Sequence, residues 1–174
     1  MCAGDGRDLL GVLPGHPRQA DVSARLVELD PELAQRGRER AREVSPQVEM
    51  VSGDAANTSA YVDRVPADIV LVCGVFGNIT DEDVHRTIDQ LATLCAPDAT
   101  VIWTRGTFAP DLTPTIRVWF MEAGFTELDF IAVPDTTVGV GANRLTSTPQ
   151  VFAPDGKLFT FLARAERPSQ GADA

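Results

Sequence analysis

Short apolar runs alternate with amphipathic stretches along most of this chain, and the alternation predicts its elements. "ARLVEL" (Ala24 to Leu29) reads as a buried strand, and Pro31 then opens a helix to about Val44. "VEMVSGD" is the next strand, ending at Asp54. "ADIVLVCG" (Ala67 to Gly74) is the most apolar stretch and suits a central strand covered on both faces. Thr80, with Asp83 three residues on, has the pattern of a capping box. Val84, Ile88, Leu91 and Cys95 then draw an apolar stripe along the following helix.

"ATVIWT" (Ala99 to Thr104) predicts another strand, and Thr113 with Pro114 opens a helix that buries Ile116, Trp119, Phe120 and Ala123 and ends at Gly124. "FTELDFIAV" and "KLFTFLARA" break the alternation as two strands without a helix between them, which predicts antiparallel neighbours. The stretch "VGVGANRL" between them reads as part of a pocket or as an extra strand. Residues 166–174 read as a frayed tail after one domain spanning 1–165. The fold expected is α/β, with a Rossmann-like, mostly parallel sheet, helices on both faces and a C-terminal antiparallel pair.

Composition narrows the function classes. With 25 acidic and 15 basic residues among 174 and a formal charge of −10, the chain lacks the basic footprint that nucleic acid or anionic lipid requires. The longest apolar run, Ile69 to Phe76, is too short to span a bilayer. Three cysteines without a CxxC pair fit reduced thiols in a cytoplasm, and with His16 and His85 they offer no metal-ligand spacing.

A parallel α/β sheet binds ligands at the carboxyl ends of its strands. The residues there are Gly4-Asp5-Gly6, then Glu28, Leu29 and Asp30, then Asp54, then Gly74 and Phe76. Glycines in a strand-to-helix turn accept positive φ and let a ligand approach the backbone. A carboxylate 24 residues after Gly4 is placed to accept ribose hydroxyl protons, so the pair points to a nucleoside-containing cofactor.

These residues resemble the motifs of the class I S-adenosylmethionine-dependent methyltransferases. "CAGDGRD" looks like the family's first motif, a turn against the cofactor's amino-acid portion, which implies roles for Ala3, Gly4, Asp5 and Gly6. "LVELDPELAQRGRERA" is similar to the acidic motif, with Glu28 in the ribose position, Leu29 beside it and Asp30 as a helix cap. "VSGDAAN" resembles the motif in which the Asp54 carboxylate takes the adenine amino group and Ala55 lies beside the ring. "ADIVLVCGVFGNI" matches the region bordering the methionine sulfur and the acceptor, which brings in Gly74 and Phe76. On "CGVFGNI", "WTR" and "PDLTP" the chain is similar to an actinobacterial-type branch of the family.

The resemblance implies S-adenosyl-L-methionine as cofactor. It also implies a small-molecule acceptor, since the Asn-Pro-Pro-Tyr or Asp-Pro-Pro-Tyr signature of amide- and base-nitrogen methylation is missing. The family's complete first strand and preceding helices have no counterpart here, so the expectation is a sheet short of a strand and an open acceptor side.

Asn78 is a candidate to touch the acceptor or to cap the next helix, and Arg105 to hold an anionic acceptor or to stand as a solvated loop residue. Phe76 suits either the cofactor or the core. His85 reads as a surface residue, Trp103, Trp119 and Phe120 as core, and Cys73 as a buried, protonated thiol; no general base stands out. Two alternatives remain. One is an NAD(P)-dependent oxidoreductase, against which Leu9 stands where a third glycine or an alanine belongs. The other is a truncated, non-catalytic interaction module, whose unpaired sheet position would suit a homo-oligomer.

Overall fold

The computed structural model describes residues 1–163, so the stretch read as a frayed tail (166–174) lies outside the described residues. Ten elements carry the fold: α1 (Arg7–Leu10), β1 (Ala24–Glu28), α2 (Pro31–Val44), β2 (Val48–Ser52), β3 (Ala67–Val72), α3 (Asp81–Leu91), β4 (Cys95–Gly106), α4 (Thr113–Glu122), β5 (Phe125–Ala132) and β6 (Val138–Leu145). Among the described residues no helix is long and apolar enough to cross a membrane.

The strands form two sheets. β1 pairs β2 in parallel, and a second sheet runs in the order β3-β4-β6-β5. Only β3 and β4 are parallel in the second sheet; β4 with β6, and β5 with β6, are antiparallel. The sheet is therefore mixed rather than mostly parallel. Met1–Ala3 lie in the seam between the sheets, where the Ala3 amide donates to the Val27 carbonyl (3.0 Å) and the Met1 amine to the Leu71 carbonyl (2.8 Å). Two hydrogen bonds thus stand in the seam in place of a strand, in line with the expected sheet short of a strand.

The helices start as their sequences dictate. Asp30 caps α2 by accepting from the amides of Glu32 and Leu33 (2.8 and 3.0 Å), ahead of Pro31 at the first helical position. Thr80 Oγ1 accepts from the Asp83 amide (3.1 Å). Asp83 does not complete a capping box: its carboxylate pairs with Arg86 and accepts from the Thr160 amide. Before α4 the cap is Asp111, which accepts from both the amide and the hydroxyl of Thr113 (2.9 and 2.7 Å), so Thr113 is capped rather than capping.

Two expected strand assignments change. Cys95 belongs to β4, not to the helix stripe, because α3 ends at Leu91. The antiparallel partner of β5 is "VGVGANRL", while Lys157 and Phe161 form isolated bridges to Asn57 and Ile79. The glycines of β6 explain why its sequence leaves it open between a pocket segment and an extra strand. A Cβ on Gly141 would lie 2.3 Å from the Trp103 ring, and one on Gly139 2.8 Å from Phe130, so both positions stay bare for close approach. In "KLFTFLARA", Leu158 and Phe159 are consecutive and both fully buried, a pattern no half-buried strand can show.

The larger core lies on one face of the sheet, where Val70, Val72, Val101 and Trp103 meet Val84, Ile88, Leu91, Ile116 and Phe120. Trp119 packs against its edge, half-buried and stacked on the His85 ring at 4.7 Å. A smaller core on the other face joins Leu10, Leu13, Leu26, Ala34, Ala41 and Met50, so α1 and α2 cover β1 and β2 alone. Over the second sheet that face has no helical cover among the described residues, and Ile69, Ile131 and Val138 are exposed. Helices on both faces therefore hold for half of the sheet only.

Candidate functional site

The Gly4–Gly6 turn sits at the carboxyl end of β1, held there by Glu28. One Glu28 oxygen accepts from the Gly4 amide (2.8 Å) and the other from the Asp30 amide (2.9 Å). A single carboxylate thus braces the glycine turn and the start of α2 together. Each of its oxygens keeps a lone pair for a further donor.

Gly4 and Gly6 share positive φ (55° and 77°) but differ in surroundings. A Cβ on Gly4 would meet nothing within 4 Å, so its backbone faces open space that a ligand can enter. A Cβ on Gly6 would lie 2.7 Å from Leu10 and 3.0 Å from Leu26, so Gly6 serves helix-to-strand packing rather than cofactor approach. Gly74, with φ 70° and nothing near its Cβ direction, opens the other side of the same edge. Its amide donates to Thr104 Oγ1 (3.0 Å), which ties it to β4.

Asp5 also changes role. Its carboxylate pairs with Arg7 and with Arg40 of α2, both at 2.9 Å, and the Arg7 hydrogen bond leads in holding its carboxyl down at about 2. That side chain clamps the turn onto α2 and is not offered to a ligand. Ala3 contributes through its backbone bond to β1.

Asp54 follows directly from the Glu28 side of the edge, because Glu28 pairs with Ser52 and its carbonyl accepts from the Gly53 amide (2.9 Å). One Asp54 oxygen accepts from the Ala56 amide (2.9 Å), the local turn that Gly-Asp sequences favour, and the other oxygen accepts no hydrogen bond among the described residues. The Ala55 side chain is buried and its carbonyl accepts from Tyr61 (2.7 Å), whose hydroxyl is pushed upward by burial. Leu29 is 63% exposed beside these groups, an apolar surface available to a planar ring.

The remaining candidates move. Phe76 is fully buried, 6.0 Å from the Trp103 ring and 6.4 Å from Phe120, so it belongs to the core and not to the cofactor surface. Asn78 does not cap α3; its side-chain amide donates to the Gly74 carbonyl (2.8 Å) and closes the loop after β3. Arg105 is no solvated loop residue: it lies in β4, buried, donating to the Phe76 carbonyl, with burial pulling its pKa down. Burial lifts all three thiols, Cys2 to about 11 and Cys95 to about 12, with Cys73 raised by the same cause, so none is an activated nucleophile.

Sequence reasoning missed what finishes the edge from behind. The segment 153–162 straps across both site loops: Thr58 Oγ1 donates to the Ala153 carbonyl (2.7 Å) and accepts from the Gly156 amide (2.8 Å). Further along, the Leu158 amide donates to Ala56 and the Leu162 amide to Asn78 (2.8 and 2.9 Å). The only sequence signal for it was the unbroken apolar run at Leu158 and Phe159.

No protein-family model matches the chain, and no curated protein matches it in sequence. Solved structures do. It is similar to an O-methyltransferase family protein from Burkholderia thailandensis over 86% of this chain and 50% of that one, at 15% identity and a TM-score of 0.66. It is similar to the mitomycin 7-O-methyltransferase MmcR over 83% and 47%, at 20% identity and a TM-score of 0.60. The N-methyltransferase NodS from Bradyrhizobium japonicum WM9 matches over 84% and 83%, at 15% identity and a TM-score of 0.57. The chain spans about half the length of the first two. These likenesses show the fold alone, one that this chain shares with O- and N-methyltransferases.

Proposed function

We propose that the chain transfers a methyl group from S-adenosyl-L-methionine to a small-molecule acceptor. The observation that carries this reading is Glu28, which holds the open Gly4 turn at the strand edge while keeping acceptor capacity on both oxygens. The solved methyltransferases of the same fold support it.

The residues present fit the cofactor. Gly4, with positive φ and open space before it, offers a backbone cradle for the amino-acid portion. Glu28 would take the ribose hydroxyls, and the second Asp54 oxygen the adenine amino group, with Leu29 against the ring. Gly74 leaves room where the sulfonium would lie. When bound, the cofactor supplies an electrophilic methyl group that an acceptor displaces in line. The chain's own contribution is alignment. Glu28 fixes one loop, Thr104 and Asn78 fix the other, and the strap holds the two in register.

The test is calorimetry with S-adenosylhomocysteine and with NAD(H). Binding of the first alone supports methyl transfer, and binding of NAD(H) alone would overturn it in favour of an oxidoreductase. Glu28→Ala, in a variant shown to fold, is expected to weaken S-adenosylhomocysteine at least tenfold, about 1.4 kcal/mol. The acidic surface and reduced thiols suit a cytoplasmic enzyme without nucleic-acid or membrane partners, and light scattering tests whether it assembles with itself.

A further inference from the structure

β4 places alternate residues on the face that packs against α3 and α4, and Val101 and Trp103 there are wholly buried. The next residue on that face is Arg105, only 8% exposed. A cation at a core position is costly unless it is fully paired and hydrogen-bonded. Arg105 is not. One terminal nitrogen donates to the Phe76 carbonyl; the other reaches Asp81 Oδ1 only at 3.8 Å, and Nε has no hydrogen-bond partner among the described residues.

Asp81 is a weak answer to that charge. It is the first residue of α3, its side chain is 67% exposed, and 3.8 Å exceeds a hydrogen bond. Asp111, the other nearby carboxylate, spends one oxygen on both the amide and hydroxyl of Thr113. What remains unsatisfied on Arg105 is the edge formed by Nε and one terminal nitrogen. That edge presents two parallel N–H donors, the geometry that a carboxylate takes with both oxygens.

Its location matches its chemistry. Arg105 is the penultimate residue of β4, at the carboxyl edge, and the carbonyl it binds belongs to the loop that opens at Gly74. Resting on the methyl-transfer reading of that edge, we propose that the acceptor carries a carboxylate, which displaces Asp81 and docks on the Nε edge of Arg105. Arg105 thereby selects anionic acceptors over neutral ones. Asp81 is the place-holder that keeps the buried charge tolerable when no acceptor is bound.

The Nε–H resonance of Arg105 in a proton–nitrogen spectrum reads this directly, identified by its loss in Arg105→Lys. Benzoate, benzamide and phenyl phosphate serve as probes, each titrated with and without S-adenosylhomocysteine. Benzoate is expected to shift the resonance saturably and to bind at least tenfold tighter than benzamide. Asp81→Asn, which removes the competing carboxylate at an exposed position, is expected to tighten benzoate at least threefold. Equal binding of benzamide, tighter binding of phenyl phosphate, or no gain in Asp81→Asn would each overturn the proposal. A benzoate shift in a protein that calorimetry shows not to bind S-adenosylhomocysteine would leave the anion site standing and remove the methyl-transfer reading instead.

Discussion

The two halves of the sheet bury their strands differently. β1 and β2 are enclosed: α1 and α2 cover one face by packing Leu10, Ala34 and Ala41 on Leu26 and Met50, while Val27 on the other face joins the larger core. Among the described residues the β3–β6 half packs one face, with Trp103 at its centre, and leaves Ile69, Ile131 and Val138 of the other face exposed. The enclosed half holds Glu28 and Asp54 and the turn at Gly4. The half-covered one holds Gly74 and Arg105. The enclosed half thus frames the residues assigned to the ribose, adenine and amino-acid portions of the cofactor, and the half-covered one carries Gly74, assigned to the sulfonium end, and Arg105, assigned to the acceptor.

Five substitutions or conditions break or sharpen this contrast. The largest effect is expected at Trp103→Ala, which empties the single packed face of the β3–β6 half and removes the bond from the indole nitrogen to Asn143 (2.8 Å). Urea denaturation should show a loss of about 3–5 kcal/mol, and a smaller loss would mean that this half draws its stability elsewhere. Gly6→Ala comes next, because both its backbone and its crowding against Leu10 resist a side chain. It is expected to lose roughly 1–3 kcal/mol from overpacking. Gly4→Ala shares the positive φ without the crowding, so it should be milder in stability and yet lower S-adenosylhomocysteine affinity.

Acid should act on the enclosed half. The Asp5 carboxyl is held at about 2 by Arg7 and Arg40. An unfolded aspartate titrates at about 3.9, so the folded state binds fewer protons between those values. The Asp5 contribution is therefore complete above about pH 4 and drains away as pH falls towards 2. Asp5→Asn should flatten that part of the profile in denaturation midpoints measured from pH 6 to 2. The smallest effect is expected at Ile69→Thr on the uncovered face, within about 0.5 kcal/mol. A loss several times larger would show that this face is covered in solution.

How much of this was legible in the sequence follows from which residues interact locally. The bounds of α2, the Asp30 cap and the Thr80 cap depend on neighbours within four positions, and all three were readable. Glu28 and Gly4 were placed together because strand order follows from the alternation. What escaped depends on distant partners. Gly139 and Gly141 left "VGVGANRL" open between a pocket segment and an extra strand until Phe130 and Trp103 are known to fill their space. Arg105 read as either an anion holder or a solvated loop residue, because nothing in "WTRGT" says that α3 and the Phe76 carbonyl close over it. Gly6 looked equivalent to Gly4, and only Leu10 and Leu26 tell them apart.

The strap from Ala153 to Leu162 has a consequence for the order of assembly. Thr58 meets its partners 95 and 98 positions later in the chain, so the loop after β2 closes only by a long-range encounter. Contacts of that span form late and slow folding, since loop closure precedes any gain from the contact. During synthesis the Glu28 brace can form as soon as β1 has emerged, whereas the loops at Ala56 and Asn78 wait for residues 158 and 162. The pocket is therefore begun around Gly4 and Glu28 and finished only once residues 158 and 162 have followed them.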